Sequence, residues 1–456
     1  MPVIWAKEAL TAQGWQRDVA VSVDAQGRIA GVAAGAAPDA GAERVDILLP
    51  APANVHSHAF QRALAGMTER RGPDGRDSFW TWRQLMYRFL DRLTPDHVEA
   101  IAALVQMEML EAGYATNVEF HYLHHRPGGA PYADIAEMSA RIAAAAAQTG
   151  IGLTLLPVHY RFGGCDGRPL GAGQARFGTD TDGFARLHAA AGAALGGLPG
   201  DTRLGVAPHS LRAVAPDDLP AITALAGGGP VHMHLAEQVA EVEEVQAAWG
   251  ARPVEWLLRN VQIDGSWCLI HCTQMQPDET RALARTGAVA GLCPITESNL
   301  GDGIFDGVRW MEAGGRIAIG SDSNIRIALT EELRTLEYSQ RLRDRSRAAL
   351  ATDTLSTGRR IFEAAVTGGA RAAGRGQGGI AAGEWADLLA LDGGAIDLAG
   401  REGDAILDAF VFAGDSGMVS AVWAAGRAMV REGRHPRRNE IRARYLRAMA
   451  DLREAL

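Results

Sequence analysis

The 456-residue sequence lacks the features that mark several large classes of protein. Its four cysteines include no CxxC pair, which excludes a disulfide scaffold and predicts reduced thiols in a cytoplasmic protein. No segment approaches the roughly 18 unbroken apolar residues of a membrane helix. The first residues show no basic region followed by an apolar run, so no export signal is expected. The net charge of −9 argues against a nucleic-acid surface.

Glycine-rich phosphate-binding motifs are missing as well. No GxGxxG motif follows a first strand, and no Walker-type loop is present. Apolar residues make up 47% of the chain and charged residues 22%, a balance that is typical of proteins with a packed core. These absences leave an ordinary soluble protein of the size of an enzyme.

The two ends of the chain have a β-like pattern. A hairpin signature covers residues 19–32, and short β-like segments recur near the C-terminus. Neither end could bury a core alone. We therefore predict one small β-sandwich domain built from residues 1–48 and 381–435, followed by a C-terminal helix in residues 436–456, where apolar residues recur at helical spacing.

Between residues 49 and 380, short apolar strands alternate with longer helical stretches. Eight strand ends can be recognised, at His58, His121, Tyr160, His209, His234, His271, Pro294 and Asp322. Eight such units favour an α/β fold with a closed, TIM-like (β/α)8 barrel over six or seven strands in a doubly wound sheet. In a barrel of this kind the reactive groups gather at the carboxyl ends of the strands.

The first strand end carries two histidines, His56 and His58, separated by one residue. Alternate side chains of an extended segment share a face, so both imidazoles point the same way, as two ligands of one metal ion would. His234 and Asp322, at the fifth and eighth strand ends, complete a set of three imidazoles and one carboxylate. Together they predict a site for one catalytic divalent ion with room for water.

The fifth strand end offers a choice between His232 and His234, which share one face of the strand. Only His234 is followed, three residues later, by a glutamate, Glu237. This favours His234 as the ligand and leaves His232 in the core or behind the ligands. Zinc suits the ligand set best, although iron and manganese fit nearly as well.

The combination of motifs resembles the amidohydrolase superfamily, specifically its one-metal deaminase branch, over nearly the whole chain. That family has HxH after strand one, HxxE after strand five, histidine after strand six and aspartate after strand eight. In this sequence the motifs are His56-Ser57-His58, His234-Leu235-Ala236-Glu237, His271 and Asp322. The only lysine, Lys7, lies far from any strand end that could bridge two metals, which disfavours the two-metal branch.

The roles that the resemblance implies follow ordinary metal hydrolysis. A divalent ion lowers the pKa of its bound water toward neutrality, so that hydroxide forms without a strong base. Asp322 would accept the proton and orient the nucleophile. Glu237 would protonate the leaving nitrogen, a step worth about 10²–10⁴-fold in rate. His271 would polarise the substituent of the attacked carbon or hold the hydroxide.

The residues around the strand ends bear on the substrate. Aromatic bases need aromatic platforms and amide groups, whereas an acidic amidine needs arginine, whose planar fork matches a carboxylate. Arg212 follows His209 by three residues, and Arg83 lies in a short aromatic segment. The resemblance is to the formimidoylglutamate deiminases, and the segments that carry it are 54–62, 80–83, 119–125, 209–212 and 232–238.

That family's activity is the hydrolysis of N-formimino-L-glutamate to N-formyl-L-glutamate and ammonia in histidine degradation, by attack on the amidine carbon. The resemblance implies a cytoplasmic homodimer that acts on a small acidic amidine and contacts neither nucleic acid nor membrane. It also implies that the substrate is held by Gln61, Arg83, Tyr122, His209 and Arg212. Arg88 or Arg92 could replace Arg83 in this role.

Two other interpretations stay open at this point. One is a deaminase of an aromatic base such as guanine, or a related hydrolase of chloro-triazine type. The other is a metal-free amidohydrolase-like scaffold that acts through oligomer contacts. Scaffolds of that kind lose ligands, and the complete ligand set of this chain disfavours the second interpretation.

Overall fold

The computed structural model describes residues 1–67, 69 and 86–455, with side chains described as far as Arg453. Elements within these residues are numbered in chain order. The strands are β1 (Val3–Thr11), β2 (Gly14–Val23), β3 (Ile29–Ala33), β4 (Glu43–Pro50), β5 (Ala53–Ser57), β6 (Thr116–His121), β7 (Gly152–His159), β8 (Arg203–Leu204), β9 (Ala207–Pro208), β10 (Val231–Leu235), β11 (Trp267–His271), β12 (Val289–Leu292), β13 (Arg316–Ile319), β14 (Leu388–Leu391), β15 (Val419–Ala424) and β16 (Arg427–Arg431). The α-helices are α1 (Pro95–Glu111), α2 (Glu137–Thr149), α3 (Thr181–Ala194), α4 (Leu219–Ala224), α5 (Val239–Trp249), α6 (Pro253–Asn260), α7 (Pro277–Ala284), α8 (Pro294–Leu300), α9 (Gly307–Glu312), α10 (Leu329–Asp344), α11 (Thr357–Ala372), α12 (Asp404–Phe412) and α13 (Arg438–Ala455).

The middle of the chain forms a closed parallel barrel. Strands β5 to β8 make one hydrogen-bonded run, with β9 beside β7 in the fourth position, and β10 to β13 make the other. Short parallel bridges join the two runs, one between Ser57 and Asp322 and one between Ser210 and His234. The side chains of β5, β6, β7 and β10 are buried along the whole strand. The predicted (β/α)8 barrel is confirmed.

Strands from both ends of the chain join in a second sheet. In the described residues it has seven strands in the order β16-β15-β14-β4-β1-β2-β3. Val21, Ile29 and Trp423, from opposite ends of that order, share one apolar core, so the sheet curls into two layers. The β2–β3 turn meets the β15–β16 turn at Gly27, where φ is +85° and a Cβ would lie 2.3 Å from the carbonyl oxygen of Ala425. Only glycine fits there.

A cluster of ion pairs around the buried residues Arg375 and Asp201 joins this sheet to the amino-terminal end of the barrel. Arg375 donates to both carboxylate oxygens of Asp387 at 2.9 Å and to Asp201, which precedes β8, at 3.0 Å. Arg427 on β16 donates to the same Asp201 at 2.9 and 2.8 Å. Burial opposes ionisation of Asp201, but hydrogen bonds and charge from Arg427 and Arg375 hold its pKa below the usual value.

No helix in the described part of the chain combines the length and the apolar character that crossing a membrane requires.

Candidate metal centre and active site

Three imidazoles and one carboxylate converge at the carboxyl ends of β5, β10 and β13. Nε2 of His56 lies 3.1 Å from Nε2 of His234. Oδ1 of Asp322 lies 3.4 Å from Nε2 of His56 and 3.3 Å from Nε2 of His58. All four side chains are buried. The structure thus brings together the four residues that the sequence predicts as metal ligands.

Backbone carbonyls fix the tautomers of two of these rings. Nδ1 of His58 lies 3.0 Å from the carbonyl oxygen of Phe120, and Nδ1 of His234 lies 3.0 Å from that of His209. A carbonyl can only accept, so each Nδ1 carries the proton and each Nε2 presents a lone pair in the neutral ring. Burial lowers the pKa of both rings, and it lowers the pKa of His56 to about 3.

This donor set fits a divalent metal ion. Neutral imidazole lone pairs and a carboxylate oxygen at 3.1–3.4 Å repel one another unless a cation lies between them. Around a tetrahedral zinc ion with ligands at about 2.0–2.1 Å, neighbouring ligand atoms are about 3.3 Å apart. The observed separations match that spacing. His56, His58, His234 and Asp322 are therefore the residues that could hold the ion.

The backbone at these strand ends is strained. Ala236, His271 and Asp322 have φ values of +52°, +71° and +48°, in the region that favours glycine. Such conformations cost of order 1–3 kcal/mol each and persist only where the surroundings fix them. Asp322 is fixed from both sides, because its N–H donates to the carbonyl of His56 at 2.9 Å and its carbonyl accepts from the N–H of His58 at 2.9 Å.

His271, at the end of β11, lies among three carboxylates. Its Nδ1 is 3.2 Å from Oε1 of Glu297, while its Nε2 is 3.7 Å from Oε1 of Glu237 and 4.0 Å from Oδ2 of Asp322. Burial disfavours the cation, but the charge of Glu237 and the hydrogen bond to Glu297 outweigh it and raise the pKa of His271 to about 10. The ring is held as a cation with one N–H directed between Glu237 and Asp322.

Glu237 is the buried carboxyl group next to this ring. Burial raises its pKa, against the opposing charges of His271 and Arg212. Burial and the charge of Glu237 likewise raise the pKa of Asp302 to about 9. A buried carboxyl group whose pKa is raised is suited to give a proton to a departing group.

A pocket lies above these groups, at the carboxyl ends of the strands. Four of the predicted substrate-binding residues line it, namely Gln61, Tyr122, His209 and Arg212. Nε2 of Gln61 donates to the Tyr122 hydroxyl at 2.7 Å. The Arg212 side chain is 9% exposed, and a terminal nitrogen lies 4.0 Å from Oε2 of Glu237. Its Nε has no hydrogen-bond partner among the described residues.

Arg83, the fifth predicted substrate-binding residue, lies outside the described residues. Arg88 and Arg92, which could replace it, are exposed and are not among the residues that line the pocket.

His232 lies in the interior, one layer closer to the amino-terminal end of the barrel than His234. Its Nε2 donates to the carbonyl oxygen of Ala372, the last residue of α11, at 2.8 Å. Burial lowers its pKa to about 4. Because two residues advance a strand by about 6.6 Å, His232 shares the face of His234 without reaching its partners.

Some residues of the site were missed by the sequence reasoning. Glu297 was missed, although it follows the seventh strand end at Pro294 by three residues, the same spacing as His234 to Glu237. Asp302 follows α8 and carries no comparable motif. The pocket residues that were not predicted are Met86, Tyr87, Tyr160, Phe177, Thr296, Leu300 and Ser323.

Comparisons with known proteins agree along the whole chain. A model of the amidohydrolase family matches residues 47–429, and a model described as the N-terminal domain of formimidoylglutamate deiminase HutF matches residues 1–46. The formimidoylglutamate deiminase of Pseudomonas aeruginosa is 47% identical over 457 residues, which cover 99% of this chain and 100% of that protein.

Solved structures show the same relationship. The crystal structure of an amidohydrolase from Brucella melitensis has a TM-score of 0.95 at 46% identity and covers 99% of this chain and 100% of its own. An adenosine deaminase from Xanthomonas campestris with bound zinc has a TM-score of 0.82 at 22% identity, covering 99% and 98%, which shows the fold alone. The chain therefore belongs to the amidohydrolase family and, within it, to the group of formimidoylglutamate deiminases.

Proposed function

We propose that this protein is a metal-dependent formimidoylglutamate deiminase that hydrolyses N-formimino-L-glutamate to N-formyl-L-glutamate and ammonia. The relationship to the Pseudomonas aeruginosa enzyme supports the activity. The observation that carries the substrate class is Arg212, a buried arginine that lines the same pocket as His58, His234 and Asp322.

Arg212 calls for an anionic ligand. A buried charge is costly unless it is paired and hydrogen-bonded. Within the described residues, the carboxylate nearest to its guanidinium is Glu237, and at 4.0 Å the two do not form a hydrogen bond. A substrate carboxylate would supply both a negative charge and two parallel acceptors for the guanidinium. A neutral aromatic base could accept hydrogen bonds but would leave the buried charge unpaired. Oε1 of Gln61, buried and without a hydrogen-bond partner in the described residues, can accept from a substrate N–H.

His56, His58, His234 and Asp322 would hold a single divalent ion, and zinc suits three imidazoles and one carboxylate. Such an ion supplies the Lewis acidity that makes water nucleophilic near neutral pH.

The protein side chains then move the protons. Asp322, whose carboxylate lies beside Nε2 of His56 and of His58, would accept a proton from the attacking water. Glu237 in its protonated form gives a proton to the leaving nitrogen as the carbon–nitrogen bond breaks. The His271 cation, 3.7 Å from Glu237, stabilises negative charge that develops on the oxygen. The oxygen of water becomes the formyl carbonyl oxygen, and both of its hydrogens leave in ammonia.

In this function the protein would act in the cytoplasm, in histidine degradation, as a homodimer. Gel filtration with light scattering measures the assembly, and a monomer at working concentrations would contradict the homodimer.

Metal analysis and an ammonia-release assay test the proposal. We expect stoichiometric zinc, ammonia from N-formimino-L-glutamate, and none from guanine. Replacing Arg212 with methionine should raise KM for the dicarboxylate by about tenfold to a hundredfold, since a hydrogen bond to a charged group is lost. A neutral amidine of similar size should be affected much less. Ammonia from guanine alone, or equal effects on both amidines, would contradict the proposal.

A further inference from the structure

One wall of the pocket is aromatic and begins beside the metal ligand His58. The ring of Tyr122 is 4.8 Å from that of His58, the ring of Phe177 is 4.7 Å from Tyr122, and the ring of Tyr87 is 6.3 Å from Phe177. The rings of Tyr122 and Phe177 thus connect Tyr87 to His58, and Tyr87 also lines the pocket. The end of a substrate remote from its reacting carbon would meet this wall.

The Tyr87 side chain packs against Gly173. A Cβ at Gly173 would lie 2.3 Å from Cγ and 2.8 Å from Cβ of Tyr87, far inside contact distance. Gly173 therefore packs against the base of the Tyr87 ring and, unlike Tyr87, does not line the pocket. Gly171, in the same turn, provides a contrast, because a Cβ there would have Oε1 of Gln174 as its nearest neighbour, at 3.4 Å. Neither glycine has a positive φ, so alanine suits both backbones.

Hydrogen bonds from Arg176, a residue that is 1% exposed, hold the segment that carries Tyr87. Its guanidinium donates to the carbonyl oxygens of Leu90 and Leu93, the latter at 3.1 Å, and its Nε donates to the carbonyl oxygen of His125 at 2.7 Å. Among the described residues, this arginine forms no ion pair with a carboxylate. It joins the segment before α1 to the loops after β6 and β7.

We propose that Tyr87, packed against Gly173 and held in place through Arg176, sets the upper limit on the length of the acidic amidine that the pocket accepts. This inference rests on the proposed function and narrows its substrate class to amidines of amino acids with side chains no longer than that of glutamate. A pocket of fixed shape can discriminate one methylene by about 10–200-fold. Arg176 is a positioning residue in this scheme, since it acts through the Tyr87 segment.

The experiment compares kcat/KM for the N-formimino derivatives of L-aspartate, L-glutamate and L-2-aminoadipate. Gly173→Ala pushes the Tyr87 ring into the pocket, so activity on glutamate should fall about tenfold relative to aspartate, mainly through KM. Gly171→Ala, the matched control, should leave the ratio unchanged. Tyr87→Leu should act in the opposite direction and favour aminoadipate about tenfold relative to glutamate.

Arg176 is tested in the same assay, at a temperature well below unfolding. Arg176→Met should weaken the discrimination among the three lengths, and Arg176→Lys, which keeps a cationic donor, should restore part of it. A structural role alone would lower stability without changing the length preference. If Arg176→Met does not fold, the two glycine variants still decide the proposal.

Equal length preferences in Gly173→Ala and Gly171→Ala, or an unchanged preference in Tyr87→Leu, would overturn the inference. A wild-type protein that releases no ammonia from any of the three compounds overturns the proposed function instead. In that case calorimetric titration with the N-formyl derivatives of the same three amino acids measures the length limit without turnover, and wild-type binding that does not fall from glutamate to aminoadipate overturns it.

Discussion

The two ends of the barrel bury polar side chains in opposite ways. At the amino-terminal end, Arg375 and Asp201 are 1% and 2% exposed, and each meets groups of opposite charge in direct hydrogen bonds. At the carboxyl end, the neutral rings of His56 and His234 present nitrogen atoms to each other at 3.1 Å, beside the Asp322 carboxylate. In the first cluster, side chains of opposite charge neutralise one another. The second cluster needs a bound cation to offset its converging lone pairs and its carboxylate.

Buried polar groups therefore serve two purposes in this protein, one in stability and one in ligand binding. Removing charges from water is costly, and direct pairing between oppositely charged side chains offsets that cost at the junction of sheet and barrel. At the metal centre the same cost is offset only by a ligand, and the strained φ of Asp322 indicates that geometry there is maintained at the expense of stability. The junction should therefore govern folding, and the carboxyl end should govern binding and catalysis.

Replacing a metal ligand should have the largest effect. His234→Asn removes one of three converging imidazoles, and we expect metal affinity to fall by more than about 100-fold, the upper range for residues that only support ligands. Activity should be lost with the metal. Metal content after dialysis and the rate of ammonia release measure the effect. Chelation should lower the melting temperature of the wild type but not of the variant, and a variant that keeps stoichiometric metal would contradict the site.

Glu237→Gln should separate proton transfer from metal binding. The amide has nearly the same shape but cannot give a proton to the leaving nitrogen, so kcat should fall by about 10²–10⁴-fold with metal content unchanged. Steady-state kinetics and metal analysis on the same preparation make the comparison. Full activity in this variant would remove Glu237 from its role as proton donor.

At the junction, Asp201→Asn should lower stability without changing the chemistry. The substitution leaves Arg375 and Arg427 without the carboxylate that they share, and breaking a buried pair costs about 3–5 kcal/mol. Urea denaturation should show this loss, while metal content and kcat of the folded protein stay at the wild-type level. A large fall in kcat below the melting temperature would mean that the two ends are not independent.

The pH dependence of this loss has a definite sign. Burial opposes ionisation of Asp201, but the arginines lower its pKa in the folded protein below the unfolded value of about 3.9. Its contribution to stability is therefore complete above about pH 4 and is lost as the pH falls through the lower, folded-state pKa. The difference in unfolding free energy between wild type and Asp201→Asn should shrink below about pH 4. A difference that is constant down to pH values well below this would assign the loss to packing.

Local patterns explain why much of this fold could be predicted from the sequence. Each barrel strand is a short apolar run, and the predicted strand ends lie within three residues of the observed ones. His56 and His58 share a face through the period of a strand, and Glu237 follows His234 by three residues, in the loop between β10 and α5. The rest depends on contacts between distant segments. No local pattern links Asp201 to Arg375, or Gly173 to Tyr87, and the positive φ of His271 has no glycine to signal it.

The smallest expected effect belongs to His232, which differs from His234 by two positions and by its partner. His232→Asn removes the hydrogen bond to the carbonyl oxygen of Ala372 and leaves that buried acceptor without its donor, which should cost about 1–3 kcal/mol of stability. Metal content and kcat should be unchanged, because the ring lies one layer below the converging nitrogen atoms. Denaturation, metal analysis and kinetics on His232→Asn and His234→Asn together make a matched pair. If His232→Asn lost the metal and His234→Asn kept it, the metal ligand on β10 would be His232 rather than His234. Position along the strand would then not distinguish a ligand from its neighbour on the same face.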